Sequence, residues 1–533
     1  MTESTATPAA TPAQQIAAGY ATTGQALELG SVLVGGQVDP AAQIRIPLAM
    51  MNRHGLVAGA TGTGKTKTLQ VIAEQLSAAG VPVVMADFKG DLSGLTRPGE
   101  ANDKVTQRAT DTGDQWVGTP YPAEFLSLGT GGIGVPVRAS ISAFGPILLS
   151  KVLGLNQNQE STLGLIFHYA DQQGLPLLDL KDLRSVITFL TTTDEGKAQL
   201  KTLGSVSPQT AGVILRALVN LEADGGDTFF GEPELDPADL LRVDDQGRGI
   251  VSLFEVGDQA ARPVMFSTFL MWVLADLFNY LPEVGDLDKP KLVFFFDEAH
   301  LLFKDASKAF LDQVEQTVKL IRSKGVGVFF CTQLPTDVPN TVLSQLGARI
   351  QHALRAFTPD DQQALTKTVR TYPKTQFYDL ASDLTSLGIG EAIVTVLSER
   401  GAPTPVAWTR LRSPRSLMDT IGPDYIKAAA QASPLFLKYG PTQDRESAYE
   451  MLAAKMAPPP SDAAAPGDSI DLPPIDTGIE LPPMPAPVEK AEPSMLEQMM
   501  GNPAFKSAMR SAGTVIGREI SRSIFGTGRR RRR

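Results

Sequence analysis

The sequence predicts an α/β fold whose mainly parallel sheet carries a phosphate-binding loop, and three observations predict it. Residues 54–58 form a short apolar run, residues 59–66 spell GATGTGKT, and residues 67–79 place Leu69, Ile72, Ala73 and Leu76 on one helical face. A second apolar run, VPVVMAD at 81–87, follows at once, so strand, loop, helix and strand make a βαβ unit with a parallel crossover. Far downstream, KLVFFF at 291–296 is apolar throughout, the pattern of a strand buried on both faces, and it ends in Asp297 and Glu298.

Taken in order, residues 1–25 are mostly Ala, Thr, Ser, Gln and Pro and are expected to be a disordered leader with no secretory signal. Residues 26–52 hold short β-like pieces, LELGSVLVGG and IRIPL, and the main domain is expected over 53–455. Helical periodicity between short turns from about 147 to 222 predicts a helical insertion. GIVSLFEV at 249–256 reads as a strand. The apolar stretch 264–280 after it carries Asp276 and is too short to span a bilayer, so it is expected to be a buried core helix. A helix over 306–324, a strand over 326–332 and closing strands at 348–355 and 390–397 complete the domain. Residues 456–493 are rich in Pro and Ala, as in an extended linker, and 494–533 return to an amphipathic helix pattern.

Composition narrows the classes. A formal net charge of −10 argues against a surface that coats nucleic acid indiscriminately and leaves local basic patches as the route to such contact. The single cysteine, Cys331, excludes an intramolecular disulfide framework and fits a cytoplasmic protein; within VGVFFCT it reads as a small buried hydrophobe.

The octapeptide fits G-x-x-x-x-G-K-[ST] at every fixed position. Gly59, Gly62 and Gly64 let backbone N–H groups wrap phosphates, with Ala60, Thr61 and Thr63 between them and Lys67 following. Lys65 is placed to reach the terminal phosphates, and Thr66 offers a hydroxyl to Mg²⁺. Asp297 at the end of a buried strand suits the same metal, and Glu298 beside it suits the general base that polarises an attacking water. The adjacent glutamate points to P-loop ATPases that carry an extra strand between the two motifs. With no Asn-Lys-x-Asp guanine-reading motif present, ATP is the expected nucleotide. Gln333, at the tip of the 326–332 strand, either senses the γ-phosphate or caps the strand. Residues 297–300 spell DEAH, yet the Ser-Ala-Thr and Gln-x-x-Gly-Arg-x-Gly-Arg motifs of DEAH-box helicases are missing.

RHGLVAGATGTGKT at 53–66, DFKGDLSG at 87–94, FFGEPELDPADL at 229–240 and KPKLVFFFDEAHLLF at 289–303 together resemble the HerA-like helicases of the HerA/FtsK superfamily. IRSKGVGVFFCTQLPTDVP at 321–339 and QLGARIQHALRAFTPDDQQAL at 345–365 extend the match, which is similar within that superfamily to the YjgR-type bacterial group. The resemblance implies a RecA-like motor core that assembles as a homo-oligomeric ring, commonly a hexamer, with ATP and Mg²⁺ at subunit boundaries and DNA as the expected track. It implies an arginine acting on the neighbour's nucleotide, with Arg355 preferred and Arg349 second, each alternatively pairing with a local carboxylate. Asp87 and Asp91 match an acidic cluster that either reaches the metal's water shell or caps a turn. Only a short β-like segment stands where HerA proteins carry an N-terminal barrel, and no nuclease centre is recognisable, so DNA processing rests on the superfamily analogy. The other reading left open is an ATP-dependent switch or assembly factor acting on protein partners.

The chain ends in Arg529, Arg530, Arg531, Arg532 and Arg533. Such a run binds nucleic-acid phosphates, docks on anionic lipid or remains a solvated charged terminus.

Overall fold

The structure, a computed structural model of the chain, describes residues 10–87, 90–202, 206–255 and 263–456. The expected linker from 457 onward, the amphipathic helix and the five terminal arginines lie outside the described residues.

The leader reading fails over its second half. Residues Pro12–Ala18 form a helix opened by a capping box between Thr11 and Gln14, and Ile16 is fully buried. The Tyr20 hydroxyl lies 2.8 Å from the Val394 carbonyl and 2.5 Å from that of Pro405. The Ala-rich composition disguised a T-x-x-Q cap and two apolar anchors, Ile16 and Tyr20, that find a wall of strands to pack on.

Among the described residues the strands are β1 (Ala26–Val34), β2 (Gln37–Pro47), β3 (Gly55–Ala58), β4 (Val83–Asp87), β5 (Ala123–Leu128) and β6 (Val135–Val137). They continue as β7 (Val251–Glu255), β8 (Leu292–Phe296), β9 (Val326–Thr332), β10 (Ala348–Gln351), β11 (Glu391–Thr395) and β12 (Ala407–Leu411). All twelve form one sheet in the order β2-β1-β12-β11-β10-β3-β9-β8-β4-β7-β5-β6. From β10 to β6 every neighbouring pair is parallel; β11, β12, β1 and β2 extend the other edge antiparallel. Residues 26–52 are therefore no separate segment ahead of the domain: β1 pairs with β12, near the chain's other described end.

The period-two alternation of buried strands divides the core between two faces. Leu56, Val84, Phe294, Phe296, Val328 and Phe330 point to one side, covered by the helices of the 141–223 region, by Pro263–Tyr280 and by Lys308–Ile321. Val57, Val83, Met85, Val293, Phe295 and Phe329 point to the other, covered by helix Lys65–Ala78, and inward residues of β1 and β2 such as Leu27 and Ile44 join the same cluster. Phe296 stacks on Phe330 with centroids 5.4 Å apart, and Phe295 meets Phe329 at the same separation on the opposite face. Helix Pro263–Tyr280 is sunk in this core, and no helix among the described residues is long and apolar enough to cross a membrane.

β5, β6 and β12 escaped the sequence reading. β6 is three residues with Pro136 at its centre, tolerated because it is a sheet edge. β12, AWTRL, alternates buried and half-exposed positions, a period-two signal too short to stand out.

Candidate active site

β9 lies between β3, which feeds the glycine-rich loop, and β8, which Asp297 follows; this is the inserted strand that the adjacent glutamate implied. The loop and the acidic end thus face one another across the C-terminal tips of three parallel strands, where α/β sheets open a crevice. Thr61, Gly62, Gly64, Lys65, Thr66, Lys67, Asp87, Asp91, Asp297 and Glu298 line a cavity of about 310 Å³ there, together with Leu92 and Ile389.

The loop is held open for an anion. Gly64, with φ +112°, opens helix Lys65–Ala78 without any side-chain cap, so first-turn N–H groups stay free where the dipole is positive. Gly59 has φ +151°, and a Cβ there would sit 2.5 Å from the Cβ of His352, so only glycine fits. His352, at the end of β10, braces the loop from below. Its N–H donates to the Ala58 carbonyl at 2.7 Å, and its Nε2 lies 2.9 Å from the Thr68 hydroxyl. Burial first, then the Lys65 ammonium, lowers its pKa to about 4, so the brace is neutral. The Lys65 ammonium donates to the Gly59 carbonyl at 2.7 Å and to that of Ala60 at 3.2 Å, which holds it over the loop.

Across the cavity, burial raises the pKa of Asp297, and the buried Cys331 thiol of β9 hydrogen-bonds its carboxylate. That thiol is itself pushed well up by burial and by Asp297, so it remains a donor; it touches the site chemistry and is more than the inert hydrophobe expected. Glu298 has φ +47°, rare for a non-glycine residue, and its carboxylate lies 3.2 Å from His300 Nδ1. The strained turn leaves the carboxylate half-buried and lining the cavity beside Asp297. Desolvated Asp297 and the Thr66 hydroxyl are hard oxygen donors on facing walls, a set suited to Mg²⁺ shared with phosphates and water.

The remaining expected residues separate. Gln333 stands exposed at the tip of β9 and does not line the cavity. Asp87 lines the cavity, and its carboxylate accepts the Leu92 N–H at 2.9 Å, which is turn-capping geometry; Asp91 lines it half-buried. Arg355, expected to act on a neighbour, lies over the loop of its own chain, its Nη2 3.5 Å from the Thr61 carbonyl.

Arg349 sits at the opposite end of β10 in a second cavity of about 470 Å³, lined also by Arg53, His54, Lys319 and Arg322. Burial and the Arg53 guanidinium lower the pKa of Arg322, with Asp286 opposing. His54 is lowered to about 4, chiefly by burial, with Arg322 and Arg53 adding to it. Neither Arg53 nor Arg322 was picked out from sequence. Arg53 opens the RHGLVAGATGTGKT segment and Arg322 the RSKG turn, and only the fold shows that they meet.

A glycine-rich loop, a facing acidic strand end and an inserted strand between them define a P-loop nucleoside triphosphatase of the additional-strand class. The family profile described as "Helicase HerA-like C-terminal" matches residues 34–533, and the chain belongs to that family. It is 20% identical over 368 residues to the DNA double-strand break repair helicase HerA of Sulfolobus acidocaldarius, covering 68% of this chain and 66% of that one. It is 31% identical over 153 residues to the probable helicase MJECL08 of Methanocaldococcus jannaschii, 27% of each chain. The chain thus spans from about a quarter to just under two thirds of these curated relatives. Among solved structures it is similar to the plasmid coupling protein TrwB in complex with ADP and Mg²⁺, at 16% identity and a TM-score of 0.49. That likeness covers 76% of this chain and 98% of that one.

Proposed function

We propose that this protein is an ATP-hydrolysing, ring-forming motor that translocates on or unwinds DNA. The observation that carries the hydrolytic part is the single cavity in which Lys65, Thr66, Asp297 and Glu298 converge. Mg²⁺ would be held by Thr66 and Asp297 with the substrate phosphates, where it neutralises charge on the transferring phosphoryl group. Lys65 leaves its loop carbonyls to bind the terminal phosphates, and Glu298 takes the proton of the attacking water.

Ring assembly is supported by charge. The cavity at the N-terminal ends of the strands gathers four basic side chains, Arg53, Lys319, Arg322 and Arg349, and none of them has an ion pair among the described residues. A neighbour's triphosphate supplies the missing anion. In that arrangement Arg53, Arg322 and Arg349 act in trans and Arg355 in cis. DNA as the track is supported by the family membership and by the repair helicases to which the chain is similar.

The test is steady-state ATP turnover with and without double- and single-stranded DNA at low salt, with Lys65→Ala as the inactive control. DNA-stimulated turnover is the expected result. Turnover that ignores DNA, with no DNA binding, would replace the motor by an ATP-dependent switch acting on protein partners.

A further inference from the structure

The nucleotide cavity contains one exposed apolar residue that phosphate chemistry does not use. Ile389 lines it, and its side chain is 75% exposed. A lone exposed isoleucine is ordinary on a protein surface. This one is neither scattered nor on a free loop tip. Its loop, Gly388-Ile389-Gly390, lies against the phosphate loop: the Gly390 N–H donates to the Thr63 carbonyl at 3.0 Å, and a Cβ on Gly64 would come 3.3 Å from the Gly390 nitrogen.

The loop is also clamped from behind. Arg108, on helix Asp103–Thr112, donates through Nη2 to the Ile389 carbonyl at 3.1 Å and through Nη1 to the Gly390 carbonyl at 2.9 Å. The Gly390 carbonyl accepts in addition the Leu411 N–H at 3.0 Å, which ties the loop to β12. Two carbonyls fixed by one partly desolvated guanidinium leave the Ile389 backbone little freedom. An apolar side chain held open at the mouth of a polyanion pocket is a preorganised surface for the part of the ligand that is not phosphate.

We infer that Ile389 is the apolar rest for the nucleobase of the bound triphosphate, and that Arg108 is a positioning residue that fixes it. This rests on the reading that the cavity takes a nucleoside triphosphate. Isoleucine offers no donor or acceptor, so it contacts the face of a purine and does not read its edge. ATP and GTP therefore gain equally from it, and discrimination between them lies elsewhere.

The test compares binding of Mg·ATP, Mg·GTP and Mg·tripolyphosphate, which has no base, to the full chain. Ile389→Ser is expected to weaken ATP and GTP by about five- to tenfold, the range for uncovering part of one aliphatic side chain, and to leave tripolyphosphate unchanged. Ile389→Phe, which restores an apolar face, should recover ATP affinity. Arg108→Gln should reproduce the selective loss, and Arg108→Lys should recover part of it, with melting temperature recorded for each variant. An equal fall for ATP and tripolyphosphate would overturn the inference by showing that the loop shapes the phosphate cradle, and no fall in either would overturn it as well. If the unaltered chain binds neither ligand, the nucleotide reading itself fails, a result distinct from both.

Discussion

The two ends of the parallel strands are chemical opposites. At their C-terminal tips the cavity collects Asp87, Asp91, Asp297 and Glu298 around one phosphate loop, a set that needs cations and a polyphosphate to be balanced. At their N-terminal ends Arg53, Lys319, Arg322 and Arg349 surround a cavity with no carboxylate in its lining. Arg53 precedes β3 and the phosphate loop follows it, so the contrast is set by which residues flank the strands of one sheet and not by separate domains. Under the proposed ring, each of these ends would be a half-site completed by a copy of the chain arranged head to tail.

The contrast breaks most visibly if the basic end is removed. Arg322→Ala is expected to lower ATP turnover by about 10³-fold, the range for an arginine that stabilises the transferring phosphoryl group from a neighbour. Mixing it with Lys65→Ala should then restore activity, because each supplies the half-site that the other lacks. Absence of recovery in the mixture would place the arginine's action within its own chain.

At the acidic end, Glu298→Gln should lower turnover by roughly 10²- to 10³-fold while leaving Mg·ATP binding intact. Unchanged turnover would remove Glu298 from the role of base.

The pH response sharpens the same comparison. His54 and His352, one at each end, both have pKa values lowered to about 4 from the ordinary 6.5. Both imidazoles therefore bind protons more readily in the unfolded chain. The stability they permit is full above about pH 6.5 and declines as pH falls toward about 4, by up to ~3 kcal/mol each. Melting temperatures across that window should fall less steeply in His352→Gln than in the unaltered chain, once each is referred to its own value at pH 7.

A buried carboxylate runs the other way. Glu255, the register partner of Asp87, is raised to about 8 by burial and then by Asp87, and its Oε1 has no hydrogen-bond partner. Its contribution is full below about pH 4.5 and is lost as pH rises through about 8, so Glu255→Gln should flatten the alkaline side of the stability profile by a few kcal/mol at most. A profile unchanged by the substitution would mean that Glu255 is solvated after all.

The acidic end was legible in the sequence; of the basic end only Arg349 was, through the family resemblance, and the rest was hidden for a physical reason. A phosphate loop needs its glycines and lysine contiguous, and a metal carboxylate needs a buried strand before it, so both leave local patterns. Arg53 and Arg322 lie far apart in the chain and join Arg349 only when β3, β9 and β10 become neighbours. The same holds for Ile389 and Arg108, and for His352 beneath Gly59. The mainly parallel sheet and its inserted strand could be read from continuous apolar runs. The antiparallel extension by β1, β2 and β12 could not, because its pairing is between the two distant ends of the domain. In the leader, composition concealed a capping box that Thr11 and Gln14 spell plainly.

β10 has a mechanical consequence. It is four residues long, hydrogen-bonded to β3 on one side and β11 on the other, and has no slack. Arg349 stands near its start, His352 follows its last residue under the phosphate loop, and Arg355 follows within reach of Thr61. At about 3.3 Å per residue β10 spans roughly 13 Å, from the cavity that Arg349 lines to the residues that brace the phosphate loop. In the proposed ring, each copy would carry this short link between the two ends within its own sheet.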